Sequence, residues 1–421
     1  MRIALLTSGS RGDVQPYLAL GLGLRRAGFE VRLAAPASFL PLAARLGLDT
    51  AAVPGWFDEL GAEHPLFNNA AGTRQRLGAL LAAPRGLRDL VETQGPSLRA
   101  ACEGSDAIVF TFSTIEGLHI AEALGVPALF ASYLPLAPTG EHPAIFLGLG
   151  RPAWSPRLAN RTSHALFGAF LDRVGGPVFD AFRRRELGLP PYRGPRFTEL
   201  PTLLAFSEVV LPRPADWPAQ ARVTGYWFLP REPGWSPPAQ LADFLAAGPP
   251  PLYLGLGSLS DRDRPALVEL VLEALRRARL RGLLDLGPPE LVEAARRPSD
   301  EVLAIRDVPH DWLFPRTRAV LCHGGAGTTS AALRAGVPLV TVPHFIDQPF
   351  WGTRAFELGA AARPIPRPQL SAERLLEAFA YVARPKVGAR ARVLGAALRA
   401  EDGVGCGVVA IEATLASRAS R

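Results

Sequence analysis

The sequence predicts an α/β protein made of two Rossmann-like, doubly wound parallel-sheet domains. Short apolar runs alternate with segments of helical periodicity in both halves of the chain, and such alternation is typical of parallel sheets covered by helices on both faces. The length of 421 residues exceeds what one hydrophobic core usually serves, so two domains are expected. We expect the domains to face each other across a cleft, where the carboxyl ends of the strands would bind ligands.

The first domain is expected to span 1–230. The stretch 211–239 is dense in proline and tryptophan, which indicates an ordered connection between domains rather than a flexible linker. The turn-rich segment from about 140 to 200 either forms a wall for an acceptor molecule or simply packs. The predicted strands are 2–7, 30–36, 107–112 and 127–133, and the predicted helices are 16–27, 115–124 and 163–186.

A second alternation of strands and helices places the second domain at 231–421. It repeats the pattern of the first domain, so a second parallel sheet is expected. The predicted strands lie within 251–260, 282–287, 302–308, 319–325 and 338–343, and the predicted helices are 265–280 and a segment from about 327.

The net charge of +7 comes almost wholly from arginine, since Lys386 is the one lysine. The arginines are dispersed along predicted helices such as 275–281 and 389–399, where they indicate solvated faces. Aromatic residues are not interleaved with them, which disfavours nucleic-acid binding. Peripheral contact of this basic surface with an anionic membrane stays open.

Three cysteines, Cys102, Cys322 and Cys406, lack CxxC spacing and are odd in number. This pattern argues against a disulfide framework and against a zinc site. No stretch of about 18 residues is free of charge and proline, so no membrane span is expected. We expect a monomer in the reducing cytoplasm.

The stretch CHGGAGTT at 322–329 places glycines between an apolar strand and a helix. Backbone N–H groups can approach an anion closely there, and the helix N-terminus adds about half a positive charge. A pyrophosphate is the expected ligand, with His323 and Thr328 as further donors. The alternative is a tight turn that needs glycine for its backbone angles. No lysine follows, which disfavours an ATP-type P-loop.

Two further stretches follow predicted strands of the second domain. Ser258, in GLGSLSD, either donates to a phosphate oxygen or is a plain turn serine. Asp347 and Gln348 offer acceptors and an amide that suit adjacent sugar hydroxyls, unless Asp347 only caps the next helix. The DRD at 261–263 indicates a charged helix start, so no metal is expected.

Asp13 follows the first predicted strand, at the carboxyl edge of the sheet. A carboxylate close to an incoming hydroxyl can act as a general base, and partial desolvation would raise its pKa toward neutrality. Taken alone, Asp13 is better explained as a helix cap. The surrounding GSRGD only partly matches a nicotinamide-binding fingerprint.

Together these stretches resemble the family 1 glycosyltransferases of GT-B fold, most closely the sterol and bacterial natural-product branch. The resemblance is specific because the stretches recur in order across most of the chain. They are GSRGDVQPYLALGLGL, PRPADWP, VTGYWFL, YLGLGSLS, VPHDWLFPR, CHGGAGTT and GVPLVTVPHFIDQPFWGTR.

The resemblance implies a role for each candidate residue. Asp13 would be the catalytic base, Asp347 and Gln348 would bind the sugar hydroxyls, and Val308 would offer its backbone to the nucleobase. The C-terminal helix, after about residue 390, would cross back onto the first domain. The remaining donor contacts would come from Gly12, Ser258, His323, Gly325, Gly327 and Thr328.

The implied activity is inverting, metal-independent transfer of a hexose to a hydroxyl of a lipophilic acceptor, without a cofactor. The donor would be a uridine or thymidine diphosphate sugar, and the acceptor a sterol, polyketide, carotenoid or glycolipid. Two alternatives are a nucleotide-sugar epimerase of the same architecture and a non-catalytic glycosyltransferase-like helper protein. Retention of Asp13 and of the 323–328 turn disfavours the helper.

Departures from the family pattern leave the nucleobase contact open. Many relatives carry a Gly-Trp pair after the strand that here reads LLDLGPPE, and plant relatives have a base-stacking tryptophan at the position of Asp307. Trp312 is expected in the core rather than as a stacking platform. The loops 55–70 and 132–150 either line an apolar pocket or pack, and their histidines, His64 and His142, are expected at the surface.

Overall fold

The computed structural model describes residues 1–54, 73–147, 155–255, 264–285, 301–344 and 347–419. The chain forms two compact units, and the prediction of two α/β domains with parallel sheets is confirmed. Among the described residues, no helix combines the length and the apolar composition needed to cross a bilayer. Unit 1 comprises Met1–Leu147, Pro152–Leu229 and Asp402–Arg421, and unit 2 contains Pro230–Glu401.

Unit 1 is built on a seven-stranded sheet of parallel strands. The strands are β1 (Arg2–Leu6), β2 (Glu30–Pro36), β3 (Asp49–Val53), β4 (Ala107–Phe110), β5 (Ala128–Ser132), β6 (Thr202–Leu204) and β7 (Ala221–Val223). Their order in the sheet is β3-β2-β1-β4-β5-β6-β7. The order therefore reverses between β1 and β4, which creates a topological switch point at the carboxyl ends of these two strands.

The helices that precede the domain connection belong to unit 1. They are α1 (Arg11–Arg26), α2 (Leu40–Arg45), α3 (Thr73–Cys102), α4 (Glu116–Leu124) and α5 (Arg157–Phe182). Helix α1 begins five residues earlier than predicted, because Ser10 caps it and Asp13 completes a capping box. Pro16 consequently lies inside the helix, where its missing N–H leaves the Gly12 carbonyl without its usual helical donor.

Unit 2 is built on a five-stranded parallel sheet of order β10-β9-β8-β11-β12, which reverses between β8 and β11. Its strands are β8 (Leu252–Gly255), β9 (Gly282–Asp285), β10 (Val302–Ile305), β11 (Ala319–Cys322) and β12 (Leu339–Thr341). Its helices are α6 (Ala239–Ala246), α7 (Arg264–Ala278), α8 (His310–Leu313), α9 (Ala326–Ala335), α10 (Gln348–Glu357), α11 (Ala372–Val382) and α12 (Pro385–Arg399).

The C-terminal helix α13 (Gly403–Ala419) belongs to unit 1, whereas α12 belongs to unit 2. Helix α13 packs on α1, where Gly23 lets the two backbones approach closely. A Cβ at Gly23 would lie 2.4 Å from Cγ1 of Val404. Ile411 of α13 is fully buried in the same apolar core as the strands of the seven-stranded sheet.

Hydrogen bonds from the PRPADWP stretch, residues 212–218, hold the loop that follows β5 in place. The Asp216 carboxylate accepts a hydrogen bond from the Thr139 hydroxyl at 2.6 Å and another from the Gly140 N–H at 2.9 Å. The Trp217 indole N–H donates to the Ala137 carbonyl at 3.0 Å. This part of the 132–150 loop is therefore held in place by a motif that lies far along the chain.

His142, in the same loop, is buried, so the prediction of a surface histidine was wrong. Its backbone carbonyl lies 3.2 Å from Nε2 of His164, and its ring packs edge-on against Trp217 at 6.5 Å between centroids. The loop composition alone suggested exposure, but the tryptophan and α5 cover the ring.

We expect Asp216→Asn to lower the thermal midpoint at pH 7, because the loop loses charge-assisted hydrogen bonds worth about 1–3 kcal/mol in total. Burial opposes ionisation of Asp216, but the Thr139, Gly140 and Arg161 donors outweigh it and hold the pKa well below its ordinary value. The stabilisation is present above the ordinary pKa and is lost as the pH falls through the lower folded one. The thermal midpoint of Asp216→Asn should therefore lie below that of wild type by the same amount at pH 7 and pH 5. The difference between the two midpoints should become smaller in stronger acid. A difference that does not depend on pH would contradict this.

Candidate functional site

The predicted site residues of each unit follow strands at the switch point of that unit's own sheet. In unit 1, Asp13 comes after β1, next to the exit of β4. In unit 2, His323 and Gly325 come after β11, which neighbours β8. Ligands of open α/β sheets bind at such points. The topology thus favours a ligand-binding role for both groups.

Asp13 takes part in the start of helix α1. Its Oδ2 accepts from the Ser10 N–H at 2.6 Å and from the Ser10 hydroxyl at 2.8 Å. Gly9 has a φ of +133°, and a Cβ there would lie 2.5 Å from the same oxygen. Asp13 therefore does support the helix start, as the alternative interpretation held, although Ser10 rather than Asp13 is the N-cap residue.

The other carboxylate oxygen of Asp13 faces a different element. Oδ1 accepts a hydrogen bond from the hydroxyl of Tyr133, which directly follows β5. Burial raises the pKa of Asp13, and the hydrogen bonds from Tyr133 and Ser10 oppose that rise. The carboxylate is thus half-buried, oriented at both ends and more basic than an ordinary aspartate. A helix cap alone would not need the contact with Tyr133.

The exits of β1 and β4 are joined by short hydrogen bonds. The Ser113 hydroxyl donates to the Ser8 carbonyl at 2.6 Å, and the Thr114 hydroxyl donates to the Leu6 carbonyl at 3.1 Å. These bonds hold the segment after β4 against the end of β1, from which the Asp13 loop begins. The serine and threonine of FST were not singled out from the sequence, although their position after a predicted strand was a usable signal.

Glu116, at the start of α4, is a further buried carboxyl group in unit 1. Burial raises its pKa to about 7, opposed by the hydrogen bond that the Gln94 amide donates to it at 3.0 Å. The same amide nitrogen donates to the Ser113 carbonyl at 2.9 Å. Through Gln94, Glu116 is therefore linked to the segment that follows β4.

Gly12 lies in the exposed first turn of α1, immediately before Asp13. A Cβ at Gly12 would have the Ser10 hydroxyl oxygen, at 3.7 Å, as its one neighbour within 4 Å among the described residues. The position is thus open to an approaching molecule. Its predicted contact with the donor stays a prediction.

In unit 2, the turn after β11 forms the predicted anion-binding helix start. Gly324 has a φ of +89°, and Gly325 is the N-cap of α9. The His323 ring lies over this turn, since a Cβ at Gly325 would be 2.5 Å from its Nε2. Burial lowers the pKa of His323 to about 4, so the ring is neutral near pH 7 and can donate one N–H.

The first turn of α9 presents Gly327 and Thr328. Gly327 is exposed and Thr328 is half-buried, whereas Thr329 is 2% exposed. By their position, the N–H groups of Gly327 and Thr328 have no acceptor within the helix. Two backbone donors and a threonine hydroxyl are thus arranged where the helix dipole favours an anion.

Asp347 lies directly against this helix start. Its Oδ2 accepts from the Ala326 N–H of α9 at 3.2 Å, and its side chain makes no capping hydrogen bond to its own helix α10. Asp347 is thus the N-cap residue of α10 by position, as the alternative interpretation held, but its carboxylate contacts α9 instead of capping α10. Gln348 is buried next to it, and its Oε1 accepts from the His344 N–H at 2.8 Å.

The predicted nucleobase region is the turn between β10 and α8. Val308 is buried there, beside Asp307, which has a φ of +53°. Trp312 is half-buried rather than in the core, and it contacts the Trp235 ring at 5.3 Å and the Arg316 guanidinium at 4.3 Å. The roles of Val308 and Trp312 stay open.

Several predicted features lie outside the described residues. They are Ser258, the DRD at 261–263, the 55–70 loop and His64. Within the described part of the chain, no three His, Cys, Asp or Glu side chains are grouped so that they could hold a metal ion. The three cysteines are free thiols.

Comparison with known proteins links both ends of the chain to glycosyltransferases. Residues 3–143 match the glycosyltransferase family 28 N-terminal domain, and residues 291–402 match the C-terminal domain of erythromycin biosynthesis protein CIII-like proteins. The O-mycaminosyltylonolide 6-deoxyallosyltransferase of Streptomyces fradiae is 40% identical over 437 residues, covering 98% of this chain and 97% of that protein.

A sterol 3-beta-glucosyltransferase of Arabidopsis thaliana is 33% identical over 420 residues, covering 97% of this chain and 67% of that protein. Among solved structures, the spinosyn rhamnosyltransferase complexed with thymidine diphosphate superimposes with a TM-score of 0.67. It is 18% identical in sequence, and the match covers 98% of this chain and 100% of that one.

The fold and these relatives identify the chain as a sugar-transferring enzyme. More particularly, the chain belongs to the family 1 glycosyltransferases of GT-B fold, in the branch of macrolide and sterol glycosyltransferases. The resemblance noted from the sequence is thereby confirmed. The roles of individual residues do not follow from family membership alone.

Proposed function

We propose that this glycosyltransferase transfers a hexose from a nucleoside diphosphate sugar to a hydroxyl of a lipophilic small molecule, with inversion at the anomeric carbon. Unit 2 binds the donor, and Asp13 of unit 1 is the general base. The observation that carries the proposal is the contact of the Asp347 carboxylate with the N-terminus of α9. This contact places a carboxylate that can accept hydrogen bonds from sugar hydroxyls beside a helix start that can bind a diphosphate.

The donor site is built from neutral donors rather than from cations. The N–H groups of Gly327 and Thr328, the Thr328 hydroxyl and the neutral His323 ring would bind the diphosphate oxygens. Asp347, whose carboxylate contacts the start of α9, would accept hydrogen bonds from the hexose. The structural neighbour complexed with thymidine diphosphate supports a diphosphate donor. Uridine and thymidine diphosphate sugars are the two candidates.

The acceptor is proposed to be a polycyclic or macrocyclic alcohol, in line with the names of the macrolide and sterol glycosyltransferases that the chain resembles. Unit 1 carries a group of half-buried aromatic rings, contributed by the segments after β4 and β5 and by α5, that suit such a molecule. Phe112 contacts Phe146 at 4.9 Å between ring centroids, and Phe146 stacks on Phe167 at 4.8 Å. Rings of this kind contribute apolar area to an acceptor site.

The proposed step is a single displacement. The acceptor hydroxyl oxygen forms a bond to the anomeric carbon while the bond from that carbon to the diphosphate oxygen breaks, and the diphosphate leaves with the electron pair. Asp13 takes the hydroxyl proton. The donors at the start of α9 stabilise the charge that builds on the leaving group, a contribution of about 3–4 kcal/mol per well-placed donor in comparable sites.

We expect transfer to proceed unchanged in excess chelator, because helix N–H groups and hydroxyls provide the stabilisation that a divalent cation would otherwise supply. Initial rates in 10 mM EDTA and in 10 mM magnesium chloride should agree within about twofold. A loss of activity in EDTA that added magnesium or manganese restores would contradict the proposal.

The test of the function is turnover of a panel of nucleotide sugars with and without lipophilic alcohols, read by mass spectrometry. Appearance of a glycoside and of free nucleoside diphosphate that depends on the acceptor supports transfer. Conversion of the donor to an isomer without acceptor would instead identify the epimerase alternative. Absence of any turnover across the panel, with a partner enzyme activated on mixing, would identify the helper alternative.

We also propose that the protein acts as a cytoplasmic monomer with at most peripheral membrane contact. The dispersed arginines motivate the membrane contact. Size-exclusion chromatography with light scattering tests the monomer. Sedimentation with anionic vesicles tests the contact, and a protein that stays in the supernatant at low salt would exclude it.

A further inference from the structure

The two carboxylate oxygens of Asp13 have different surroundings. Oδ2 accepts two hydrogen bonds, both from Ser10, and faces the backbone of Gly9. Among the residues that the structure describes, the Tyr133 hydroxyl is the one donor to Oδ1. A carboxylate oxygen has two lone-pair positions in its plane. Oδ2 therefore has both positions filled, whereas Oδ1 has one left.

We propose that Tyr133 is a positioning residue that makes Oδ1 the proton-accepting oxygen of Asp13 and holds it in the plane required by the acceptor hydroxyl. This inference rests on the proposed function, in which Asp13 is the base. The acceptor proton moves to the second lone pair of Oδ1, and the first stays bonded to the Tyr133 hydroxyl. The phenol gives up no proton in the step.

Tyr133 is suited to this task because it stands at a fixed strand end. It directly follows β5, whose last residue, Ser132, accepts a hydrogen bond at its hydroxyl from the Leu134 N–H at 3.0 Å. The carbonyl of Ala131 accepts from the Tyr17 hydroxyl at 3.0 Å. The strand end is thus tied to α1, the helix that carries Asp13.

In the described part of the chain, two tyrosines are the ionisable groups that interact with the Asp13 carboxylate. Tyr133 approaches from β5, and Tyr17 lies one turn further along α1, with its pKa raised by burial and, to a smaller extent, by the charge of Asp13. Ser10, the N-cap residue of α1, donates to the carboxylate through a neutral hydroxyl. Removing the Tyr133 hydroxyl thus removes a donor that favours ionised Asp13.

The test compares Tyr133→Phe with Tyr192→Phe, which also removes one tyrosine hydroxyl from unit 1, but one that donates to the Pro195 carbonyl at 2.8 Å instead of to Asp13. In Tyr133→Phe the pKa of Asp13 rises, so the acid limb of the pH profile of kcat/KM for the acceptor moves to higher pH. On that limb kcat/KM should fall about tenfold, and on the alkaline plateau by less than about threefold. Tyr192→Phe should keep the wild-type profile, and donor affinity should be unchanged in both variants.

Different results separate the inference from the function on which it rests. If Asp13→Asn abolishes transfer but Tyr133→Phe keeps the wild-type pH profile, Asp13 is the base and the inference about Tyr133 is wrong. If Asp13→Asn itself stays active, the proposed function fails at its base. A loss in Tyr133→Phe that is equal at all pH values, with a lowered thermal midpoint, indicates a merely structural role and overturns the inference.

Discussion

Asp13→Asn is expected to lower kcat for transfer to an aliphatic hydroxyl by about 10³-fold, within the range that general-base catalysis contributes. Asparagine has the size of aspartate and keeps a side-chain oxygen for the Ser10 N–H, so helix α1 should still begin at Arg11. It cannot accept the acceptor proton. Nucleoside diphosphate affinity, measured by calorimetry, should stay within about twofold of wild type, because His323, Gly327 and Thr328, the residues proposed to bind the diphosphate, lie in unit 2.

Asp402→Asn is the matched control for the structural role of Asp13. Asp402 also accepts, at its Oδ1, a hydrogen bond from a backbone N–H three residues away, that of Gly405 at 2.9 Å, and so serves the start of α13. This variant should retain transfer within about twofold. If Asp13→Asn lost no more than about tenfold, equal to roughly 1.4 kcal/mol of barrier, Asp13 would be a helix-start residue and another group the base.

Thr328→Val is expected to weaken binding of the nucleoside diphosphate by tenfold or more. It removes the half-buried Thr328 hydroxyl from the first turn of α9 while keeping the shape of the side chain. A hydrogen bond to a charged group is worth about 1.5–3 kcal/mol, which corresponds to roughly tenfold to 100-fold in affinity. Calorimetric titration of uridine and thymidine diphosphates measures the loss.

Thr329→Val serves as the control from the adjacent position. Thr329 is 2% exposed, so its hydroxyl cannot reach a ligand at the helix start, and the same substitution should leave affinity unchanged. Equal affinities for Thr328→Val and the wild type would show that the turn after β11 is only a tight turn. Equal losses in both threonine variants would point to a distorted helix rather than to a lost ligand contact.

The alternation of strands and helices could be predicted because most strands are short, continuous apolar runs. The EVRLAAP strand was predicted at 30–36, and the structure has it at Glu30–Pro36. The three-residue strands β6 and β7 were missed, since they are too short for a periodic signal. Helix α3 was missed because Pro84 and Pro96 interrupt its pattern, yet both lie inside the helix.

Individual site residues could be located from the sequence, but their partners could not. Asp13 and His323 follow predicted strands, so their edge of the sheet was predictable. The contact of Asp13 with Tyr133 joins residues 120 positions apart, and that of Asp347 with Ala326 joins residues 21 apart. Such contacts depend on strand order, which the spacing of motifs does not reveal. The burial of His142 under Trp217 was missed for the same reason.

The central claim, that Asp13 acts as the base, is tested most directly by varying the acidity of the acceptor. Wild type and Asp13→Asn are compared with two acceptors of the same ring scaffold, one an aliphatic alcohol and one an acidic phenol that is ionised at the assay pH. An ionised acceptor needs no base, so the loss caused by Asp13→Asn should shrink at least about tenfold with the phenol. An equal loss with both acceptors would contradict the claim.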